Sequence, residues 1–504
     1  MAKVAFNNFD SYCDNGEYQI LPFRFARIPK IENILIVSEV GEYHFLPEED
    51  LRLFVDGNLK NNTALYDTLK SKHFLLSEGE NVALRLVSAK YRTRKSHLRH
   101  GPALHIFVVS LRCDHSCPYC QVSRQSTDKS RFDMSDEIAI AAIDRMFEAP
   151  AKEITVEFQG GEPLLAFDRI KFIVESVIKK NERYKKNVVF SITSTLHFLT
   201  DEILSFFKEH NFQVSTSIDG PEDLHNLNRV KREKDSYAKT ISMLQKARDV
   251  LGVENIAALT TLTRESLKDP KAIIDEYVRL GFRSIFLRPL SPYGFAVKSA
   301  RKIGYDVSEF LKFYTDALRY IIEINKNGTI IEEAYTAILL THILTPFPTG
   351  YVDLRSPTGS GLGVIVYNYD GSVHASDESR MLSEMGDNTF KLGSVFDSYS
   401  DLIQSDAMKI LLATGVSESL PGCSDCAFLP YCGADPVFHV ARHKDPVGHR
   451  AFSDHCVKHT HIFNTLFEYI YENDRQTMDI FLSWVTKQSV LDLNGNKGGD
   501  ACSL

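Results

Sequence analysis

From residue 104 onward, apolar runs of strand length alternate with stretches whose apolar residues recur every three or four positions. The strand-length runs fall at 104–111, 153–159, 187–193, 213–219, 256–262 and 284–290. Helical periodicity lies between or after them, at 135–146, 168–179, 201–210, 237–250, 270–280 and 308–325. Six strand–helix repeats predict an α/β fold, a parallel sheet covered by helices. Ile-Phe-Val-Val and Ile-Phe-Leu are nearly continuous apolar runs, as parallel strands buried on both faces require. Right-handed crossovers curl such a sheet toward a complete or partial barrel, assigned here to 101–328.

The flanks follow other patterns. Residues 34–37 and 42–46 read as short strands broken at Gly41, a hairpin, and 47–54 as a short amphipathic helix closed by Asp56-Gly57. They form a small α+β module over 1–100. It is expected either to capture a leader peptide on an exposed strand edge or to cap the barrel. Lys90, Arg92, Arg94, Lys95, Arg99 and His100 at its end read as a solvated basic linker, which could otherwise guide an acidic peptide. Beyond the barrel come a helix at 331–343, a Gly-rich segment at 356–363 and a hairpin at 364–369 and 372–376, turning at Asp370-Gly371. Amphipathic helices at 462–472 and 475–487 complete a third unit over 329–490, and the Gly/Asn-rich tail at 491–504 is expected to be flexible.

A chain of 504 residues exceeds one ordinary core, in keeping with several units. The apolar fraction of 43% and charged fraction of 25% are those of a soluble globular protein. A net charge of −8 gives no overall basic footprint for nucleic acid, and no apolar run is long enough to span a bilayer. The first residues lack the apolar core of a secretory signal, so a cytoplasmic location is expected. There, cysteines read as metal ligands or catalysts rather than disulfides. Seven of the nine fall in two clusters; Cys13 and Cys502 stand alone.

The first cluster is Cys113-x3-Cys117-x2-Cys120, just after the first strand. Three such thiolates can fill three corners of a four-iron cube and leave the fourth iron open. Taken alone, they could also make a partial zinc site with His115 as the fourth ligand. The other polar motifs also fall at strand C-termini. Gly160-Gly161-Glu162-Pro163 follows strand two, Ser194-Thr195 strand three and Ser217 with Asp219-Gly220-Pro221 strand four; Thr260 and Thr261 end strand five, and Arg288 strand six. Active sites of βα barrels occupy that rim.

The cysteine triplet with Tyr119 before its last member, followed by Gly-Gly-Glu-Pro, resembles the radical S-adenosylmethionine (SAM) enzymes over roughly 104–290. The resemblance implies a [4Fe-4S] cluster on Cys113, Cys117 and Cys120 whose open iron is chelated by SAM. In such enzymes one electron cleaves SAM to methionine and a 5′-deoxyadenosyl radical, which takes a hydrogen atom from the substrate. Gly160 and Gly161 let the backbone approach a ligand, and Glu162 can accept a charge-assisted hydrogen bond from an ammonium group. Ser217 and Arg229, in a stretch similar to one in sulfatase-maturating enzymes, suit ribose and carboxylate contacts. Tyr119, Thr260 and Arg288 complete the expected SAM-binding set, although Arg288 reads equally as a structural ion-pair partner.

The second cluster, Cys423-x2-Cys426-x5-Cys432 with Cys456 further on, can fill all four corners of a cube or bind zinc. In this context it resembles the SPASM extension of radical SAM peptide maturases. The full pattern carries seven cysteines and two auxiliary clusters. Here Ser376 and Pro436 stand where two further ligands are expected, which implies a single auxiliary [4Fe-4S] cluster. Asp377 resembles, by its place, an aspartate of sulfatase-maturating enzymes, a resemblance that implies a general base; its other reading is a solvated loop carboxylate.

Phe-Arg-Phe-Ala-Arg-Ile at 23–28, Asp353-Leu354-Arg355-Ser356-Pro357, Tyr-Asn-Tyr-Asp-Gly at 367–371 and Asp377-Glu378-Ser379-Arg380-Met381-Leu382 resemble the radical SAM maturases of His-Xaa-Ser peptide systems, the B component. That resemblance implies a precursor peptide substrate, an oxidative modification such as a crosslink, a reducing protein such as flavodoxin or ferredoxin, and a second radical SAM protein. The alternatives are a sulfatase-maturating Cys or Ser oxidase and, in another class, a zinc-stabilised peptide-binding scaffold.

Overall fold

The computed structural model describes residues 18–60, 63–77 and 82–488; Cys13, Cys502 and the tail lie outside the described residues. The N-terminal hairpin is part of a three-stranded antiparallel sheet: β1 (Phe23–Arg27), β2 (Ile34–Ser38) and β3 (Tyr43–Leu46). The helix Glu48–Val55 follows, with Glu48, Glu49 and Asp50 in its first turn, where the helix dipole favours acidic groups.

The solvated linker expected at 90–100 is instead the helix Val82–Arg94 and the short turn Ser96–Arg99. Its cations have fixed acceptors in other segments. Lys90 pairs with Glu42 at 2.5 Å, and Lys95 with Glu418 and the Ser356 carbonyl. The Arg94 guanidinium, largely buried, donates to the carbonyls of Val40, His342 and Pro430. Gly41 (φ +77°) both turns the hairpin and clears its path, since a Cβ there would lie 2.4 Å from Arg94 Nη2. The module is seated on the second cysteine segment: Tyr431 Oη donates to the Gly41 carbonyl at 2.9 Å, and Phe467 packs edge-on against Tyr43 and Phe45.

The barrel strands are β4 (Leu104–Ser110), β5 (Glu153–Gly160), β6 (Asn187–Thr193), β7 (Gln213–Ser217), β8 (Ile256–Thr261) and β9 (Leu287–Arg288), all parallel to their neighbours. The result is a mostly parallel open α/β sheet with a C-terminal extension. Side-chain caps set the helix starts. Ser135 accepts from Ile138 N, Thr200 from Ile203 N and Asp269 from Ala272 N. Phe107, Val109, Val156, Phe158, Ile192 and Val214 pack toward the helices in one large core.

The last predicted strand is broken. Ser284–Ile285 pairs in parallel with Glu332–Glu333 instead, and only β9 joins β8. Fully buried Glu333 fixes this break by accepting from the backbone N–H groups of Leu287 (3.2 Å) and Thr336 (2.6 Å) and from the Tyr314 hydroxyl.

The hairpin after residue 363 extends the barrel sheet. β10 (Val364–Tyr367) pairs in parallel with β4, and β11 (Ser372–His374) and β12 (Lys391–Ser394) add antiparallel beyond it. The sheet order is β9-β8-β7-β6-β5-β4-β10-β11-β12, so β4, which leads into the cysteine triplet, lies inside the sheet. Among the described residues no helix is long and apolar enough to cross a membrane.

Candidate active site

Strand alternation turns Glu157, Gln159, Thr193, Ser217, Thr261 and Arg288 inward, where they line a cavity of about 720 Å³. The cysteine loop closes one part of its wall. Arg112 anchors the start of that loop through a bidentate pair with Asp133, both bonds at 2.7 Å, and a bond to the Leu165 carbonyl at 2.6 Å. The loop then turns on Cys120 N–H to the Cys117 carbonyl, and Ser116 N–H donates to the Val230 carbonyl at 2.7 Å. Cys113, Cys117 and Cys120 all line the cavity.

Burial pushes the Cys113 and Cys117 thiols up, with Arg229 opposing this at Cys117. A thiolate in this place needs a cation beside it, and three soft sulfur donors fit iron. His115 is less suited to complete a zinc site. Its Nδ1 bonds Asp114 at 2.7 Å and its Nε2 bonds Ser236 Oγ at 2.9 Å, although Cys113, Asp114 and His115 lie close enough to share an ion.

Gly160 and Gly161 run against the cysteine loop. A Cβ would lie 2.0 Å from the Ser110 carbonyl at Gly160 and 2.4 Å from that of Arg112 at Gly161. Next to them, the fully buried Glu162 does not line the cavity. Oε1 accepts from Leu164 N–H (3.0 Å) and Ser194 Oγ (2.8 Å); Oε2 accepts from Thr195 N–H (2.7 Å) and Thr195 Oγ1 (2.6 Å). Its geometry therefore corrects the expectation of an ammonium acceptor: the carboxylate is committed to holding Ser194 and Thr195, which do line the cavity.

Tyr119, Asp219 and Arg229 form a second cluster. Tyr119 Oη donates to Asp219 Oδ2 at 2.6 Å, Arg229 Nε lies 3.2 Å from the same oxygen, and the guanidinium sits 5.6 Å over the Tyr119 ring. Tyr119, Ser217 and Arg229 face the cavity. Thr260 does not: it is buried on the helix side of β8, and its neighbours Leu259 and Thr261 face inward. A strand reverses facing at every residue, and the composition of Thr260-Thr261 does not set that parity.

The same cavity is lined by a polar wall, which meets the end of the cysteine loop where Arg380 Nη1 donates to the Val122 carbonyl at 3.4 Å. Asp377 sits in the first turn of the helix Asp377–Glu384, not in a solvated loop. It faces the cavity and lies 3.2 Å from Nε of the buried Arg380. Glu378, Asp353 and Asp435 join it, with Arg288 and Lys458 among them. These residues are scattered in sequence, so no spacing announces them. Burial, then the nearby Asp353 and Asp377 charges, pushes the Glu378 carboxyl up to about 8; burial, then Asp353, pushes Asp435 up to about 6. Glu157, raised by burial, adds a further carboxyl held by Gln159 at 2.9 Å.

Cys423, Cys426, Cys432 and Cys456 converge beneath this wall, each of the first three within electrostatic reach of Cys456. Tight turns place the first three, as in Cys426 N–H to the Cys423 carbonyl; Cys456 opens the helix Asp454–Glu472. Four soft sulfur donors in one neighbourhood would suit a fully ligated cluster. Ser376 and Pro436 have other duties: Ser376 caps the helix Asp377–Glu384, and Pro436 starts the helix Pro436–His443. Tyr335 links cavity and cysteines. It lines the cavity, its hydroxyl bonds His459 Nε2, and ring nitrogens of His455 and His459 lie within 4.8 Å of Cys432 Sγ.

Residues 107–277 match the family model "Radical SAM superfamily", so the chain carries a radical SAM domain. It is similar to a cysteine-type anaerobic sulfatase-maturating enzyme of Clostridium novyi, 24% identical over 345 residues, 67% of this chain and 87% of that protein. It is also similar to the radical SAM cyclopropyl synthase TigE of Paramaledivibacter caminithermalis, 27% identical over 34% of this chain and 39% of that protein. Among solved structures, native anSMEcpe with bound AdoMet and Kp18Cys peptide has the same fold, with a TM-score of 0.60, 19% identity, and coverage of 74% of this chain and 99% of that one.

Proposed function

We propose that this protein is a cytoplasmic radical SAM maturase that oxidatively modifies a ribosomally made peptide of the His-Xaa-Ser type, with a side-chain crosslink as the product. The observation that carries this reading is one cavity that joins the three-cysteine loop to the carboxylate wall, backed by the four converging cysteines. Its volume of 720 Å³ lies in the range of small-molecule sites, enough for a cofactor and an inserted side chain. A relative of the same fold has been solved with both AdoMet and a peptide.

On this reading, SAM and a [4Fe-4S] cluster bound at Cys113, Cys117 and Cys120 supply a 5′-deoxyadenosyl radical that takes a hydrogen atom from the peptide. Gly160, Gly161, Ser194, Thr195, Ser217 and Arg229 hold SAM, with Tyr119 and Asp219 orienting Arg229. Arg288 marks the boundary between SAM and peptide. Asp377 accepts the proton released in the second oxidation. Cys423, Cys426, Cys432 and Cys456 would hold an auxiliary [4Fe-4S] cluster able to take up the electron lost in the second oxidation, with Tyr335 and His459 lying between it and the cavity, and a reducing protein of the flavodoxin or ferredoxin type would supply the electron that SAM cleavage consumes. The N-terminal module and a second radical SAM protein present the peptide.

A second reading, a sulfatase-maturating Cys or Ser oxidase, is favoured by the likeness to the Clostridium novyi protein. Ser376 and Pro436, at the expected places of inner-cluster ligands, weigh against it. Anaerobic incubation with SAM, a reductant and either a His-Xaa-Ser repeat peptide or a Cys-containing sulfatase peptide separates the two. A loss of two hydrogens from the repeat peptide supports the first reading. Oxidation of the sulfatase peptide alone overturns it.

A further inference from the structure

The polar wall holds more carboxyl groups than cations. Asp377 is claimed by Arg380. That leaves the carboxyls of Asp353, Glu378 and Asp435 facing two cations, Arg288 and Lys458. Among the described residues no ion pair within 4.0 Å joins either cation to these carboxyls. Lys458 instead lies 5.5 Å over the Tyr335 ring. Asp435 uses one oxygen, Oδ1, to cap the helix Pro436–His443 through Phe438 N–H at 2.9 Å.

An independent observation points the same way. Tyr293 is 2% exposed and lines this cavity, yet its hydroxyl has no hydrogen-bond partner. The groups that act on it electrostatically are Asp435, Glu378, Asp353 and Arg288. A buried phenol without a partner loses a hydrogen bond worth keeping, and such groups mark places where a ligand supplies one. Carboxyls in excess beside an unpartnered hydroxyl suit a ligand that is positively charged and rich in N–H donors.

We propose that Asp353, Glu378, Asp435 and the Tyr293 hydroxyl form a subsite for a cationic side chain of the peptide substrate: arginine, lysine or protonated histidine. The identification of the ligand as a peptide side chain rests on the maturase reading above; the charge preference rests on the wall itself. The carboxyls hold the cation and the Tyr293 oxygen accepts one of its N–H groups. This fixes the side chain in the cavity that the cysteine loop also lines and sets which neighbouring residue faces the radical source.

The test uses the anaerobically reconstituted full chain saturated with SAM, and the acetylated, amidated tripeptides Gly-Arg-Gly, Gly-Lys-Gly, Gly-His-Gly, Gly-norleucine-Gly and Gly-Glu-Gly. Dissociation constants are measured by calorimetry. The arginine and lysine tripeptides are expected to bind at least about tenfold more tightly than the norleucine one, roughly the equivalent of one modest charge interaction. D353N is expected to remove that preference at pH 7, and E378Q to remove the further preference that the wild type gains at pH 9. Equal binding of all five, or a preference for the glutamate tripeptide, overturns the proposal and assigns the wall to Arg288 and Lys458. The wild-type series carries the test if a variant fails to fold. Reductive cleavage of SAM to 5′-deoxyadenosine is measured on the same preparation. Its absence refutes the maturase reading, whereas cleavage without charge preference refutes only the subsite.

Discussion

Replacing Glu162 by glutamine exposes how the strand ends are held in place. Each carboxylate oxygen accepts from one backbone N–H and one hydroxyl: Leu164 N–H and Ser194 at Oε1, Thr195 N–H and Thr195 Oγ1 at Oε2. A glutamine keeps the shape but presents an NH2 group to one of these pairs. The hydroxyl can rotate to accept, while the backbone N–H cannot. Whichever way the amide is set, one buried N–H loses its acceptor, at a cost of about 1–3 kcal/mol. At 1.4 kcal/mol per decade this corresponds to about 5- to 150-fold more frequent local opening. Native-state hydrogen exchange read by mass spectrometry should show it at 162–166 and 193–198, with β1–β3 unchanged as an internal control. SAM affinity should fall as well, because Ser194 and Thr195 line the cavity. Unchanged exchange at both segments in E162Q would refute the view that this carboxylate organises the strand ends.

Three further outcomes are expected. Gly161→Ala places a Cβ 2.4 Å from the Arg112 carbonyl and 2.7 Å from that of Leu111, so the cysteine loop must shift; overpacking of this kind costs about 1–3 kcal/mol, and SAM affinity measured by equilibrium dialysis should fall about tenfold. Iron after anaerobic reconstitution should be about eight per chain and fall to about four in Cys456→Ala, since each cube holds four; unchanged iron would remove the auxiliary cluster. The Glu378 carboxyl, pushed up to about 8 by burial and by Asp353 and Asp377, is uncharged below that pH and charged above it, with Arg288 opposing the shift. Affinity for the arginine tripeptide should therefore rise from pH 7 to pH 9 and flatten in E378Q. The same shift makes the folded chain bind the proton more tightly than the unfolded one, so this group's contribution to stability is present at low pH and is lost as pH rises from the ordinary carboxyl range through about 8.

The barrel was legible because its signals are local. Strand runs and helix periods follow one another, and caps at Ser135, Thr200 and Asp269 fix the helix starts to within a residue or two. The cysteine triplet and Gly160-Gly161 were legible for the same reason. What was missed depends on tertiary placement. The facing of Thr260 turns on strand parity. The role of Glu162 depends on residues more than thirty positions away that come to meet it. The basic run at 90–100 looked solvated because its acceptors, Glu42, His342 and Glu418, lie in three distant segments. Asp353 and Glu378 stand in motifs that carried the resemblance but no role, and Asp435 and Lys458 stand in none: β10 adding to β4 and the turn before Pro436 bring the wall together.

The central claim is that Cys113, Cys117 and Cys120 hold an open-iron cluster that cleaves SAM beside a peptide. Its most direct test is anaerobic single-turnover chemistry: reconstituted protein, dithionite and SAM, with 5′-deoxyadenosine quantified by chromatography. The account predicts formation of 5′-deoxyadenosine in the wild type and none in Cys117→Ala. A colourless, zinc-loaded protein that takes up no iron and forms no 5′-deoxyadenosine would contradict it.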